Sequence, residues 1–302
     1  MMNVVGLGKI FEYHEAALKQ SNIPLNVGID LNDDRLDKFQ FITKSKKLED
    51  LQAVVGDVLI CTPPSVRMEI IRNCTSARCV YVEKPLALNA EVVKEIIEWS
   101  DKAKVPVKVL QSRRFFNNYR LIKEFLATQT IEYVNWFEGA PFGWESVGGF
   151  HVTEAGSVWN DLGPHVVDSL RFIIDPKLSL QPITTKIDLN DVDIRAKGIC
   201  QDNEFELRVV LNRKRLNTNW ISIGLRGGST VLCKTGSENE VYLKMEERTI
   251  RILSSNNYIN IKQPVSDVFF NMWSSVANGK TQTIPMASDN LATINLLNNL
   301  KL

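Results

Sequence analysis

Cysteine is scarce and scattered in this 302-residue chain: Cys61, Cys74, Cys79, Cys200 and Cys233 are odd in number and include no CxxC pair. That pattern argues against a disulfide framework and against a zinc site; Cys61, inside an apolar run, reads as a small core residue, and free thiols of this kind suit a reducing compartment. An excess of one charge is missing too. Lys and Arg total 36 against 35 Asp and Glu, a formal charge of +1, which gives no electrostatic reason to expect nucleic acid as a partner. The basic runs Lys44-Ser45-Lys46-Lys47 and Arg213-Lys214-Arg215 are short and read as solvated surface. No stretch approaches the roughly 20 apolar residues of a membrane span. The opening Asn3-Val4-Val5-Gly6 lacks the charged and long apolar regions of a secretory signal, so the expected location is cytoplasmic, away from membranes. With 44% hydrophobic and 24% charged residues and only 11 prolines, the composition is that of a globular protein with a substantial core.

The first third alternates short apolar runs with amphipathic stretches, the pattern of βαβ units feeding a parallel sheet. Strands are predicted at Asn3 to Gly6, Leu25 to Asp30, Val58 to Cys61, Cys79 to Glu83 and Val107 to Gln111. Helices are predicted at Tyr13 to Ser21, Asp33 to Ile42, Ser65 to Cys74 and Ala90 to Ala103. Beyond about residue 120 the pattern changes to one helix, Tyr119 to Leu126, and then many strand-like stretches. Alternation in Phe205 to Leu211 and Trp220 to Leu225, with turn signals at Gly227-Gly228 and Gly236-Ser237, argues for a mostly antiparallel sheet. Further helices are expected at Trp159 to Ile174, Val265 to Ala277 and Asp289 to Leu300. The fold class is therefore α/β: a doubly wound parallel sheet over 1–118 and a second α/β domain with a large, mostly antiparallel open sheet over 119–302.

Gly6-Leu7-Gly8 directly follows the first strand and opens a helix. Gly6 permits a tight turn, and Gly8 lets backbone N–H groups approach a pyrophosphate at the positive end of a helix. An ordinary strand-to-helix turn satisfies the two glycines equally well, and Phe11 stands where a third glycine or alanine is usual. Asp30 closes the second strand 22 residues after Gly8, where a carboxylate accepts hydrogen bonds from ribose hydroxyls and repels a 2′-phosphate. This favours NAD(H) over NADP(H), with an exposed turn acid as the competing account. Thr62-Pro63-Pro64 ends the next strand at the edge where nucleotides lie in such sheets, although a plain loop accounts for it too.

Glu83-Lys84-Pro85 places a lysine at the carboxyl edge of a buried strand. Pointed inward, its amine is desolvated and can hydrogen-bond or protonate a substrate oxygen; pointed outward, it is a surface lysine. Asp161 and His165, four apart, share one face of a helix, so a carboxylate can orient an imidazole suited to proton transfer near neutrality. A histidine alone is as well explained by a structural role. Phe137, Phe142, Trp144, Phe150 and Trp159 crowd the preceding segment and suit either a pocket wall or core packing.

In this order and at these intervals, Gly6/Gly8, Asp30, Glu83-Lys84-Pro85 and the aspartate-to-histidine pair resemble the Gfo/Idh/MocA oxidoreductase family. Gly6-Leu7-Gly8-Lys9-Ile10 with His14 and Ala17-Leu18, Thr62-Pro63-Pro64, Arg114-Phe115, Glu154-Ala155-Gly156 through Asp168-Ser169-Leu170-Arg171, and Asn278-Gly279-Lys280 extend the similarity nearly end to end. The resemblance implies a Rossmann domain and a larger α/β domain whose open sheet mediates homodimers or homotetramers. It implies no metal and a nicotinamide cofactor held by Gly6, Gly8, Lys9, Ile10, Asp30, Thr62, Pro63, Pro64, Glu83 and Lys84. The small-molecule substrate, a sugar, inositol or derivative, would meet Lys84, Arg114, Asp161 and His165, with Lys84, His165 and Asp161 catalytic. Arg67 departs from a histidine common after the Thr-Pro-Pro segment and is expected to alter cofactor or substrate contacts. The chain is also short for the family, which implies a trimmed substrate domain. Alternatives within the same resemblance are a non-catalytic nucleotide sensor and a reductase of a tetrapyrrole or imine.

Overall fold

The computed structural model describes residues 1–139, 157–201, 203–214, 218–236, 240–245, 248–251 and 264–301. Phe142, Trp144, Phe150, Glu154-Ala155-Gly156, Arg215 and Ser237, singled out above, lie outside the described residues. The chain divides into two compact units, one of residues 1–112 with 265–294 and the other of residues 113–264 with 295–302.

The first unit is built on six parallel strands: β1 (Met2–Val5), β2 (Leu25–Ile29), β3 (Thr43–Ser45), β4 (Gly56–Ile60), β5 (Ala77–Glu83) and β6 (Val107–Leu110). Their order across the sheet is β3-β2-β1-β4-β5-β6. The apolar runs of the sequence become the inner strands because such strands are covered on both faces; Val58, Leu59 and Ile60 are fully buried. Helices α1 (Lys9–Gln20), α2 (Asp33–Lys38), α3 (Arg67–Arg72) and α4 (Ala90–Ala103) connect them. On α1 the buried residues are Phe11, His14, Ala17 and Leu18, a three-to-four spacing that makes one face. The Asn89 side chain caps α4 by accepting from Val92 N, and Lys104 ends it in the left-handed region, so the expected bounds are met at both ends.

Two expected helices are shorter than the pattern suggested. α2 stops at Lys38 because Phe39 turns extended, which frees Phe39 and Phe41 to pack on Phe11. The predicted start of α3 at Ser65 is taken by a 3-10 turn over Pro64–Val66. The strand β3 was not expected: three largely polar residues are too short to show alternation.

The second unit holds eight strands: β7 (Ile131–Gly139), β8 (Ser179–Ile187), β9 (Asp191–Cys200), β10 (Asn203–Asn212), β11 (Trp220–Leu225), β12 (Thr230–Lys234), β13 (Val241–Met245) and β14 (Arg248–Arg251). They lie in the order β14-β13-β12-β11-β7-β10-β9-β8. Every pair is antiparallel except β7 with β10. Alternation predicted this sheet and survives in it: Phe205, Leu207, Val209 and Leu211 of β10 are buried, as are Val192, Ile194 and Ala196 of β9. Helices α5 (Asn117–Leu126) and α6 (Val158–Ile173) belong to this unit, and α7 (Val265–Ala277) returns to the first. The last helix, α8 (Ala287–Asn299), contains the point of division at 294. No helix among the described residues is long and apolar enough to cross a membrane.

Phe11 explains how this sheet dispenses with the third glycine of a dinucleotide loop. Its fully buried ring meets Phe39 edge-on at 4.8 Å and stacks on Phe41 at 5.8 Å. The room comes from β2: a Cβ on Gly28 would approach the Phe41 ring to 2.5 Å. Truncating such a ring leaves a void, so Phe11→Ala is expected to cost about 3–5 kcal/mol, read as a lower urea midpoint. An unchanged midpoint would show that the cluster is not core.

Candidate functional site

Four strands of the first unit end at one edge of the sheet, and the residues that follow them are those the sequence marked: Gly6 after β1, Asp30 after β2, Thr62 beyond β4 and Lys84 after β5. The order reverses between β1 and β4, and ligands of open parallel sheets bind at the carboxyl edge at such a switch point.

Gly6 has φ +88°, and a Cβ there would lie 2.8 Å from Thr62 Cγ2 and 3.0 Å from the Cys61 carbonyl carbon, so both conformation and space require glycine. Gly8 caps α1 without any side-chain hydrogen bond, and nothing lies within 4 Å of where its Cβ would be. The first N–H groups of α1 therefore meet an open approach at the positive end of a helix. Lys9 is exposed beside it and Ile10 is half-buried.

Asp30 is 9% exposed and faces inward. Its Oδ2 accepts from Leu7 N at 2.7 Å and lies 3.6 Å from the Arg35 guanidinium, while its Oδ1 accepts from Asn32 N at 2.9 Å. The carboxylate thus fastens the glycine turn to the end of β2. Each oxygen retains a second lone pair for a ligand hydroxyl.

Arg67, expected to alter cofactor or substrate contacts, is 3% exposed and donates to backbone carbonyls. Nε and Nη2 donate to Thr62 O at 2.9 and 2.6 Å, and Nη1 donates to Glu83 O at 2.5 Å and to Pro85 O. One guanidinium thereby joins the loop after β4 to the loop after β5. The Thr62 hydroxyl is buried with no hydrogen-bond partner, Pro63 is exposed and Pro64 is buried.

Glu83 is also turned inward, at 7% exposure. Its Oε2 accepts the backbone N–H of Lys84 at 3.0 Å, and its Oε1 lies 2.8 Å from His14 Nε2. Burial works against the Glu83 charge, but the hydrogen bond from His14, positive charge on that ring whenever it is present, and the positive charges of Lys84 and Arg67 outweigh it and hold the carboxyl below its usual range. Lys84 is half-buried, and its bond to Pro85 is cis. The fully buried His14 ring accepts at Nδ1 from Trp273 Nε1 at 2.9 Å. Trp273, on α7, was read only as part of a helix; its spacing of four from Phe269 on one apolar face was the available signal.

In the second unit, Asp161 and His165 lie one turn apart on α6, whose start is capped by Ser157. Asp161 is 4% exposed and faces Arg213, with Nη2 to Oδ2 at 3.3 Å. Burial lowers the Arg213 pKa and the Asp161 charge opposes that shift. His165 is half-buried. Arg114 forms a two-pronged pair with the buried Asp168, Nε to Oδ2 at 2.9 Å and Nη2 to Oδ1 at 2.7 Å, and lies over the Phe172 ring. Its guanidinium is therefore engaged within its own unit. Arg113 pairs in the same manner with Glu138, at 2.9 and 2.6 Å. A cleft of about 470 Å³ at the amino edge of the six-stranded sheet, beside Met1, Pro24, Asp57 and Arg78, includes none of the expected site residues.

Residues 2–111 match the family model described as oxidoreductase family, NAD-binding Rossmann fold, of Gfo/Idh/MocA. Myo-inositol 2-dehydrogenase of Thermotoga maritima is 31% identical over 138 residues, 43% of this chain and 41% of that protein. Oxidoreductase P35 of Formosa agariphila is 24% identical over 188 residues, 55% and 57% of the two chains. The chain thus spans about half the length of these curated relatives. Among solved structures, an oxidoreductase domain protein from Kribbella flavida superposes with TM-score 0.79 at 16% identity, covering 99% of this chain and 95% of that one. An oxidoreductase from Agrobacterium radiobacter, solved with NAD+, L-tartaric acid and magnesium, gives TM-score 0.76 at 16% identity, covering 98% and 94%. Those two likenesses concern the fold. Over residues 2–111 the resemblance read from the sequence is borne out by this match to the Gfo/Idh/MocA NAD-binding Rossmann fold.

The depressed Glu83 pKa has a sign that can be checked. Stability from this carboxylate is complete above its unfolded pKa and is lost as pH falls through the lower folded value. Glu83→Gln is expected to be less stable than wild type at neutral pH and to show a flatter decline in urea midpoint between about pH 5 and pH 3. Parallel acid limbs in the two proteins would contradict the assignment.

Proposed function

We propose that this chain, whose residues 2–111 carry the NAD-binding Rossmann fold of an oxidoreductase family, is an NAD(H)-dependent enzyme that interconverts a secondary alcohol and a ketone. The substrate we propose is a ring carbon of a sugar, inositol or related polyol, by analogy with the Thermotoga maritima relative. The observation that carries the reading is the carboxyl edge of the six-stranded sheet. The uncapped start of α1 behind Gly6-Leu7-Gly8, the Asp30 carboxylate and the unpartnered Thr62 hydroxyl fit a dinucleotide's pyrophosphate and ribose groups. Lys9, Ile10, Pro63, Pro64 and Glu83 shape that site around them. When bound, the nicotinamide supplies the acceptor or donor of the electron pair.

In this reading Lys84 holds the reacting oxygen through its ammonium donors. His165 takes the hydroxyl proton on oxidation and returns it on reduction, and Asp161 holds it in place. Arg114 contributes by fixing α6 through Asp168 beneath those two residues. No metal is required by this scheme. The first unit, which departs from the expected 1–118 by ending at residue 112 and regaining 265–294, would serve as the dinucleotide-binding domain, and the second, expected as 119–302, as the substrate-binding domain, with the open eight-stranded sheet as the surface for a homodimer or homotetramer.

NADH fluorescence titration followed by a turnover screen of myo-inositol, sugars and sugar derivatives tests the proposal. Lys84→Ala and His165→Ala are expected to lower turnover by about 10²- to 10⁴-fold with little change in NADH affinity. Full turnover in both variants would overturn the residue roles, and NADH bound yet never consumed would point to a sensor. Asp30→Asn is expected to narrow the preference for NADH over NADPH, because it removes the charge opposed to a 2′-phosphate. An unchanged preference would remove Asp30 from cofactor selection.

A further inference from the structure

Below the backbone of Lys84 runs a buried chain of hydrogen bonds that begins far away in sequence, on α7. The Trp273 indole is fully buried and its Nε1 lies 2.9 Å from His14 Nδ1. His14, also fully buried, reaches Glu83 Oε1 through Nε2 at 2.8 Å, and Glu83 Oε2 accepts the Lys84 N–H at 3.0 Å. Phe269, one turn before Trp273, presses edge-on against the His14 ring at 4.8 Å, and Tyr81 meets the Trp273 ring edge-on at 5.4 Å. All of these residues belong to the first unit.

An indole nitrogen only donates, so His14 Nδ1 must accept and carries no proton. A neutral imidazole then holds its single proton on Nε2, aimed at the carboxylate. In the other tautomer two donors would face each other at Trp273 and two acceptors at Glu83, so both bonds would be lost together where no solvent replaces them. The lone tautomer leaves Glu83 accepting on both sides, with one oxygen fixed on the peptide that carries Lys84.

We propose that Trp273 is a positioning residue: by locking the His14 tautomer it holds the Glu83 carboxylate on the backbone of Lys84 and so sets where that lysine stands. The proposal rests on the reading that Lys84 meets the reacting oxygen only for its catalytic consequence, since the hydrogen bonds themselves can be followed without turnover. Ring contacts alone would make Trp273 a packing residue, and Trp273→Phe separates the two roles by keeping an aromatic ring while removing the donor.

The test uses the full chain. In protein labelled with nitrogen-15 at its three histidines, with His151→Gln and His165→Gln used for assignment, His14 is expected to show one neutral form protonated at Nε2. Trp273→Phe is expected to leave His14 Nδ1 without its donor, read as a shift of that ring nitrogen's resonance, and to raise hydrogen exchange at the Lys84 amide about tenfold, while amides inside β5 stay unchanged. In a His14→Gln background, where the side-chain amide can turn its NH2 to Glu83 whether or not Trp273 donates, the same substitution is expected to leave Lys84 exchange within about twofold. With NAD and myo-inositol as probes, Trp273→Phe should lower kcat and leave the NAD KM nearly unchanged. A charged or Nδ1-protonated His14 in wild type, unchanged Lys84 exchange in Trp273→Phe, or equal effects in both backgrounds would overturn the proposal. Should Trp273→Phe fail to fold, the wild-type spectrum and Lys84 exchange in His14→Gln decide it: an Nε2-protonated His14 and a Lys84 amide close to wild type uphold it, and any other pair of results overturns it. Absence of any turnover of myo-inositol would count against the substrate class and leave the exchange result to stand alone.

Discussion

The Arg67 guanidinium binds three backbone carbonyls, those of Thr62, Glu83 and Pro85, and so makes two loops of the carboxyl edge into one piece. A charge 97% removed from solvent is tolerable because those carbonyls replace its water and the Glu83 carboxylate opposes it in sign. Removing the guanidinium would leave those carbonyls without their donor in the same volume, at about 1–3 kcal/mol for each buried acceptor left unpaired. Glu83 completes the arrangement from the other side, and its carboxylate never faces the ligand edge: it looks down to His14 and across to the Lys84 peptide. The position of Lys84 is thus set by groups that lie beneath it.

The glycine turn is fastened in a similar manner. Asp30 uses one oxygen on Leu7 N and the other on Asn32 N, so the carboxylate expected to meet a ribose also ties β2 to the turn after β1. These two duties are compatible, because an accepted N–H leaves a lone pair on each oxygen. Phe11 shows the same economy at the helix. Where a third glycine would let α1 approach the sheet, the chain places glycine on β2 instead, at Gly28, and fills the space with three phenylalanine rings. The helix start remains open to an anion while the packing beneath it changes hands.

Much of this was legible from local pattern. Apolar runs bounded by turns located five of the six parallel strands, and alternation located the large antiparallel sheet, because both depend on which face of a short segment is buried. What escaped was whatever a distant residue decides. The end of α2 at Lys38 is set by the need of Phe11 for ring partners, and the parallel pairing of β7 with β10 joins segments more than 60 residues apart. At the candidate site, glycine spacing and strand ends singled out Gly6, Gly8, Asp30, Thr62 and Lys84, and the fold sets all five at one edge of the sheet. The inward turn of Arg67 and Glu83 was hidden, since a charged residue beside a loop reads as a ligand contact unless its buried partners are known. Trp273 was hidden for the same reason, lying 259 residues from its hydrogen-bond partner. Arg114, expected to meet the substrate, forks on Asp168 within its own unit, a pairing that no local pattern announces.

We read this carboxyl edge as a dinucleotide site whose shape is fixed from below by Arg67 and Glu83. A crystal structure of the chain grown with NADH measures it most directly. The account predicts the pyrophosphate over the backbone N–H groups at the start of α1, the adenosine ribose on Asp30, and Arg67 still buried on its three carbonyls. A nucleotide bound elsewhere, or Arg67 swung out to meet it, would contradict the account.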